Sequence, residues 1–343
     1  MTNALALTRR TLLVAPLALA ACRRGADILE FTGLTMGTDY SIVVVDHDRK
    51  MSRPALQQAI DGALAQVNAE MSNWDVNSEI SQVNRASGAM PLSVSDDLYE
   101  VLSAAQNVHL ASDGQFDVTL GPLIELWGFG ASPISRHTPT DADIAQAMQT
   151  VGQGKSLTLG NGAVQKAFSS TEIYLSAIGK GFGVDKVARA LESAGAVDYL
   201  VEIGGDLYTA GRNPVGLPWQ IGIESPNARA QSVQQVISVS GLGMATSGDY
   251  RNYFEVDGQR FSHMLDAHTG RPITHTTASA TVLTENAMFA DAWATAMLIL
   301  GRERGMQIAE EQNLAVLFIE RDPNASDMQF IETPSSRYTR LQA

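Results

Sequence analysis

Only one cysteine, Cys22, occurs among the 343 residues. That narrows what the chain can fold into: no intramolecular disulfide framework can form, and no Cys-cluster metal site can be built. The fold must rest on a packed apolar core, and the chain is long enough for one large domain or two intimately joined ones. Hydrophobic residues make up 45% and charged residues 18%, globular values that argue against wholesale disorder. With 24 Lys+Arg against 37 Asp+Glu the net charge is −13. That balance excludes a general nucleic-acid binder, whose affinity rests on basic side chains neutralising phosphates. A small anionic ligand stays compatible only where local positive charge or a metal meets it.

The place of the lone cysteine is informative. Residues 1–21 hold no acid: a polar stretch ends in Arg9-Arg10, an apolar run covers Thr11–Ala21, and Leu19-Ala20-Ala21 precedes Cys22. This is the order of an export signal, too short to span a bilayer as a mature helix. Leu-Ala-Ala-Cys resembles a bacterial lipobox, which would make Cys22 the lipidated first residue of the mature protein. Thr8-Arg9-Arg10-Thr11-Leu12-Leu13 resembles a twin-arginine signal as well. An ordinary signal with an incidental cysteine is the bland alternative. The expected organisation is a signal over 1–21, a tether over 22–32 and one folded domain over 33–343, with no later membrane span. Loss of the leader's two arginines would take the net charge from −13 to −15.

Periodicity predicts a strand over Thr38–Val45 and a helix after Pro54 with Leu56, Ile60, Leu64, Val67 and Met71 inward. A second helix is expected at 96–111 behind Ser95 as N-cap. Residues 112–140 read as a long ordered loop, and 141–150 as a helix. Short strands near 164–168 and 171–175 precede a helix from Lys180 to Ala194. Strands then dominate: Tyr199–Ile203, Leu207–Ala210, Trp219–Glu224, Val236–Val239, Tyr253–Val256 and Arg260–Leu265. A strand at Ser279–Leu283 leads into an apolar helix, 286–300, ended by Gly301; a helix at 302–312 and a strand, Ala315–Ile319, follow. Mixing without steady βαβ alternation points to an α+β fold.

Three places could carry chemistry. Asp291 and Thr295 lie one turn apart on one face of the apolar helix, where a carboxylate is desolvated unless paired. With a backbone carbonyl they would suit a hard cation such as Mg²⁺; a buried Asp bonded to backbone is the alternative. Ala177-Ile178-Gly179-Lys180-Gly181-Phe182-Gly183-Val184-Asp185 puts glycines and a lysine at a helix start, which suits phosphate or only a tight turn. His263 sits among polar residues at a strand end, as a general base or a backbone-bonded histidine. Thr246–Arg251 reads as a ligand loop or a hairpin.

Taken in order, eight blocks go further: Met36-Gly37-Thr38; Met71-Ser72-Asn73-Trp74-Asp75-Val76-Asn77-Ser78-Glu79-Ile80; Phe116–Pro122 with Leu126–Gly130; Ala177–Asp185; Glu202-Ile203-Gly204-Gly205-Asp206; Ala245–Arg251; Ser262-His263-Met264-Leu265-Asp266; and Ala290–Thr295. From about Leu34 to the last helix this resembles the ApbE family of FAD:protein FMN transferases. The resemblance implies an α+β, T-fold-related architecture of mixed sheets and flanking helices, with the FAD site in a cleft between two interlocked subdomains. It implies a Mg²⁺-dependent enzyme with FAD as substrate, transferring FMN to a threonine or serine hydroxyl of an extracytoplasmic acceptor flavoprotein and releasing AMP. By position Asp291, Thr295 and the Ala177 carbonyl match the metal ligands. Met36, Trp74, Gln115, Phe116, Asp117, Lys180, Met264 and Leu265 match FAD-site positions, and His263 matches the base for the acceptor hydroxyl. The family's periplasmic lipoprotein members fit a chain anchored through Cys22 on the periplasmic side of a bacterial membrane.

Three positions depart from that pattern: Tyr174 where an aspartate is common, Gly179 where alanine is usual, and Ala267 in place of a proline. The competing expectations are an FAD pyrophosphatase yielding FMN and AMP, and a non-catalytic flavin-binding lipoprotein.

Overall fold

The run Ile42-Val43-Val44-Val45 is buried on both of its faces, which only an interior strand allows. In the computed structural model, which describes residues 26–88, 90–130, 137–227, 232–325 and 329–343, that strand lies between two antiparallel neighbours. The leader and Cys22 lie outside the described residues, as does 131–136 of the expected loop.

An eight-stranded sheet takes Asp27–Thr35, Thr38–Asp46, Tyr199–Ile203, Asp206–Ala210, Leu242–Gly248, Thr277–Thr284, Ala315–Arg321 and Phe330–Pro334 side by side in chain order. Every neighbouring pair is antiparallel. Side chains alternate between its faces with the strand period of two. Ile42, Val44, Val201 and Ile203 share a cluster with the helices Arg53–Met71 and Gly179–Ser193. Val282 and Phe318 pack with the helix Ala287–Glu311. Val43, Val45, Leu200, Leu283 and Leu317 pack instead with the hairpin Trp219–Glu224 and Val233–Val239 and with Tyr338 of the last helix. A smaller cluster of Leu120, Leu123, Trp127, Ile144, Val151, Leu265 and Ala267 stands apart. The architecture is α+β, as expected.

The helix Ala287–Glu311 is apolar on every side over its first half, hence interior. Its backbone leaves helical geometry at Gly301 (φ 70°, ψ 171°), where a Cβ would lie 3.0 Å from the His275 ring. The expected break between 286–300 and 302–312 is therefore real: two helices meet at a kink there. At its start Asn286 caps the Phe289 N–H, and the Asp185 carboxylate accepts from Ala287 N (2.8 Å) and Met288 N (2.9 Å). Burial pushes the Asp185 carboxyl up to about 6, against the pull of those two donors. Among the described residues no helix is long and apolar enough to cross a membrane.

Several expectations need correcting. The latter part of the tether 22–32 belongs to the strand Asp27–Thr35, which zips onto Thr38–Asp46 across a two-residue turn. The loop 112–140 contains a short helix, Gly121–Leu126. Residues 171–175 are not a strand, because side-chain amides satisfy their backbone groups. Asn84 accepts from Ile173 N and donates to Ile173 O, while Asn73 donates to Ile173 O and accepts from Leu175 N. The buried Lys166 ammonium donates to the carbonyls of Asn84, Ser169 and Thr171. The strand Ala163–Lys166 pairs with Leu157–Gly160 and Leu92–Ser93 instead. Arg260–Leu265 is a strand only to Ser262, with Leu265 in an isolated bridge to Pro272.

Asp185→Ala leaves two buried N–H groups at the start of the central helix without their acceptor, a loss of about 2–4 kcal/mol. Urea unfolding at neutral pH measures it; a change below about 0.5 kcal/mol, typical of an ordinary surface site, would show that the cap carries no weight.

Candidate active site

The site forms where the helices Gly179–Ser193 and Ala287–Glu311 meet. A Cβ on Gly181 would stand 2.2 Å from Ala287 O and 2.8 Å from Asp291 Cβ, so only glycine lets the two backbones approach this closely. The Gly181 N–H donates to Asp291 Oδ2 at 3.0 Å. The neighbouring Lys180 Nζ lies 2.8 Å from Asp206 Oδ2 and 3.2 Å from Asp291 Oδ1. Both carboxylates are buried, whereas the lysine side chain keeps 29% of its surface. Burial and the Asp291 charge push the Asp206 carboxyl well above the usual range, against the opposing pull of Lys180. Burial alone would lower the lysine, but the two carboxylates hold it above its ordinary value. Two buried acids thus share one ammonium. One turn beyond Asp291, Thr295 Oγ1 is 3.1 Å from Ser247 Oγ on the strand Leu242–Gly248.

A cleft of about 310 Å³ opens over this triad. Nine of the expected residues line it: Phe116, Asp117, Ala177, Lys180, His263, Met264, Leu265, Asp291 and Thr295. His263 Nδ1 is 3.0 Å from Asn252 O; a carbonyl only accepts, so Nδ1 carries the hydrogen and Nε2 the basic lone pair. The Asp117 oxygens are engaged by protein donors, accepting from Thr119 N, Thr119 Oγ1 and Gln153 N. Three expected residues fall outside the lining. Met36 packs on the helix at Gly183. Trp74 is 62% exposed and meets the wall edge-on through Tyr174, 6.4 Å between rings. Gln115 is spent on the turn after Leu265, bonding Asp266, Ala267 and His268.

The cleft also holds Tyr174 and Asn252, given no role from the sequence, and Ser247 and Arg251 from the segment Thr246–Arg251, read as a ligand loop or a hairpin. Asp206 lies beneath it as the partner of Lys180. Nothing in local spacing links Asp206 to Lys180; the sheet brings them together. Thr246–Arg251 was open between loop and hairpin, and proves to be a strand end and the turn that follows it.

A model of the ApbE family matches residues 36–318. The chain belongs to the ApbE family. It is 40% identical over 303 residues to a protein of Vibrio cholerae named FAD:protein FMN transferase, covering 88% of this chain and 90% of that one. A Haemophilus influenzae protein of the same name is 39% identical over 332 residues, covering 95% and 94%. Among solved structures, the flavin transferase ApbE from Vibrio cholerae superposes with a TM-score of 0.85 at 38% identity, covering 92% of this chain and 99% of that one. The apo flavinyl transferase ApbE of Pseudomonas stutzeri gives 0.84 at 34% identity, covering 93% and 98%.

Two of the three departures from the ApbE pattern have a local account; nothing in the structure requires glycine at 179. The Tyr174 hydroxyl donates to Glu125, which fixes the ring against Trp74. The Ala267 N–H donates to Gln115 Oε1 at 3.2 Å, a bond proline could not make. At Gly179 an added Cβ would meet only Leu175 Cβ, at 3.9 Å. Gly179→Ala is therefore expected to raise stability by about 0.5–1 kcal/mol, whereas Gly181→Ala should cost about 3 kcal/mol through overpacking. Thermal unfolding of the two variants decides; equal effects would mean that the helices do not meet at Gly181.

Proposed function

We propose that this chain transfers FMN from FAD to a threonine or serine hydroxyl of an acceptor flavoprotein, with release of AMP. The observation that carries this reading is the cleft: it gathers Lys180, Asp291, Thr295 and His263 in one lining, in a chain similar along its length to proteins named for that activity.

The donor set suits Mg²⁺. Among the described residues no three His, Cys, Asp or Glu side chains are grouped to hold a metal, so a cation here rests on mixed hard oxygens: the Asp291 carboxylate, the Thr295 hydroxyl and the Ala177 carbonyl. The Asp206–Lys180–Asp291 group sets two acids against one base, and a further cation at Asp291 would offset the crowding of the two carboxyls. When bound, Mg²⁺ supplies neutralisation of the pyrophosphate charge.

The remaining steps belong to the protein. Phe116, Met264 and Leu265 give the cleft an apolar wall for ring systems and exclude water. Tyr174 holds Trp74 beside it. His263 Nε2 takes the proton of the acceptor hydroxyl as that oxygen bonds the FMN phosphorus, and the bond from phosphorus to the AMP oxygen breaks. We also infer a lipid anchor at Cys22 on the periplasmic side of a bacterial membrane. Its support is the leader sequence alone, and retention of Cys22→Ala in the membrane fraction would refute it.

Incubation of the chain with FAD, Mg²⁺ and an acceptor protein tests the main reading by intact mass. The acceptor should gain FMN while AMP is released; free FMN without adduct would mean a pyrophosphatase, and unchanged FAD a carrier. Asp291→Ala should lower Mg²⁺-dependent turnover by about 10²-fold or more, and full activity would refute its metal role. His263→Ala should keep FAD binding yet lose transfer; unimpaired transfer would remove it as base.

A further inference from the structure

Among the described residues lining the cleft, Lys180 and Arg251 carry the permanent positive charge, and they are held very differently. Lys180 is bound between two buried carboxylates. Arg251 is paired with Glu224, from the neighbouring hairpin, and lies over the Tyr250 ring at 5.7 Å. Its side chain is 51% exposed and that of Glu224 26%, and a solvent-exposed pair of this kind is weak and screened by salt. The backbone beneath it is fixed. Arg321 grips the buried Asp249 carboxylate with two bonds, 2.6 and 2.9 Å, and Arg260 Nη2 donates to the Asp249 carbonyl at 2.5 Å. The next residue along, Asn252, provides the carbonyl that sets the His263 tautomer. One braced turn therefore carries a half-exposed guanidinium and orients the imidazole.

We propose that Arg251 exchanges Glu224 for a phosphate oxygen of the bound dinucleotide, so that it fixes the pyrophosphate beside His263. The inference rests on the FAD reading above. A guanidinium offers a planar pair of donors that matches a phosphate, and it would hold charge that grows on the phosphoryl oxygens during displacement. Lys180 already shares its charge between two acids, whereas Arg251 faces one. In a chain of net charge −13 a second cation in the cleft lining has a clear use. Glu224 then acts as the resting partner that keeps Arg251 in place before substrate enters.

The test compares FAD with riboflavin, which has the ring system but no phosphate, by flavin fluorescence titration of the full chain. Arg251→Gln should weaken FAD about ten-fold or more while riboflavin changes by less than roughly two-fold, and the salt dependence of FAD binding should flatten. Arg251→Lys should restore part of the loss, and Glu224→Gln should tighten FAD by freeing the guanidinium. Equal weakening of FAD and riboflavin in Arg251→Gln would assign the residue a structural part and overturn the proposal, as would FAD binding at the unsubstituted level. If the unsubstituted chain bound no FAD at all, the transfer reading itself would fall, and this inference with it.

Discussion

Two buried carboxylates around one ammonium set the terms for the rest of the structure. A lone buried carboxylate is costly to hold ionised; Asp206 and Asp291 lie together, so each worsens the other's position. Lys180 meets both, and the Gly181 N–H at the start of its helix adds a further donor to Asp291. Those two partners are adjacent in sequence, which forces the first turn of Gly179–Ser193 directly onto the flank of Ala287–Glu311. The missing side chain at 181 follows from that contact.

The two helices are joined reciprocally. Asp291 accepts from the N-terminal turn of Gly179–Ser193, and Asp185, one turn beyond Gly181, accepts from the N-terminal turn of Ala287–Glu311. Each helix thus offers its unpaired N–H groups, where the dipole is positive, to the other's acid. One of these acids faces the cleft and the other is sealed in the interface. The Gly181 N–H thereby fixes Asp291 from the backbone of the facing helix, inside a helix whose neighbouring side chains are apolar.

Local signals carried much of this into the sequence. Ser95 marked the helix Asp96–Ala111, the apolar period marked Arg53–Met71, and spacing of four put Asp291 and Thr295 on one face. What escaped was set by partners far along the chain. Leu242–Gly248 is rich in glycine, threonine and serine and lacks a strand's usual composition; its strand state comes from Asp206–Ala210 and Thr277–Thr284 on either side. Asp206 gained its part only when the sheet set it beneath Lys180. Gln115, matched to the ligand site by position, is turned to the Asp266–His268 loop because Ala267 leaves an N–H for it to accept.

The segment 171–175 shows why a strand-like pattern need not give a strand. Ile173, Tyr174 and Leu175 form a buried, β-prone run, yet Asn73 bonds the peptide groups on both sides of Tyr174, and Asn84 holds both polar groups of Ile173. A side-chain amide has the donor and acceptor of a peptide group, so it can replace a neighbouring strand without adding one. The substitution has a geometric consequence. A paired strand would fix this stretch to the sheet; the amides fix it to the turn that begins with Asn73 and continues into Trp74. Tyr174, pinned by Glu125 at its hydroxyl and meeting Trp74 at its edge, is therefore tied to that turn. The aromatic rim of the cleft and the chain leading into Ala177 form one piece, while Lys180 and Asp291 belong to the helices behind it.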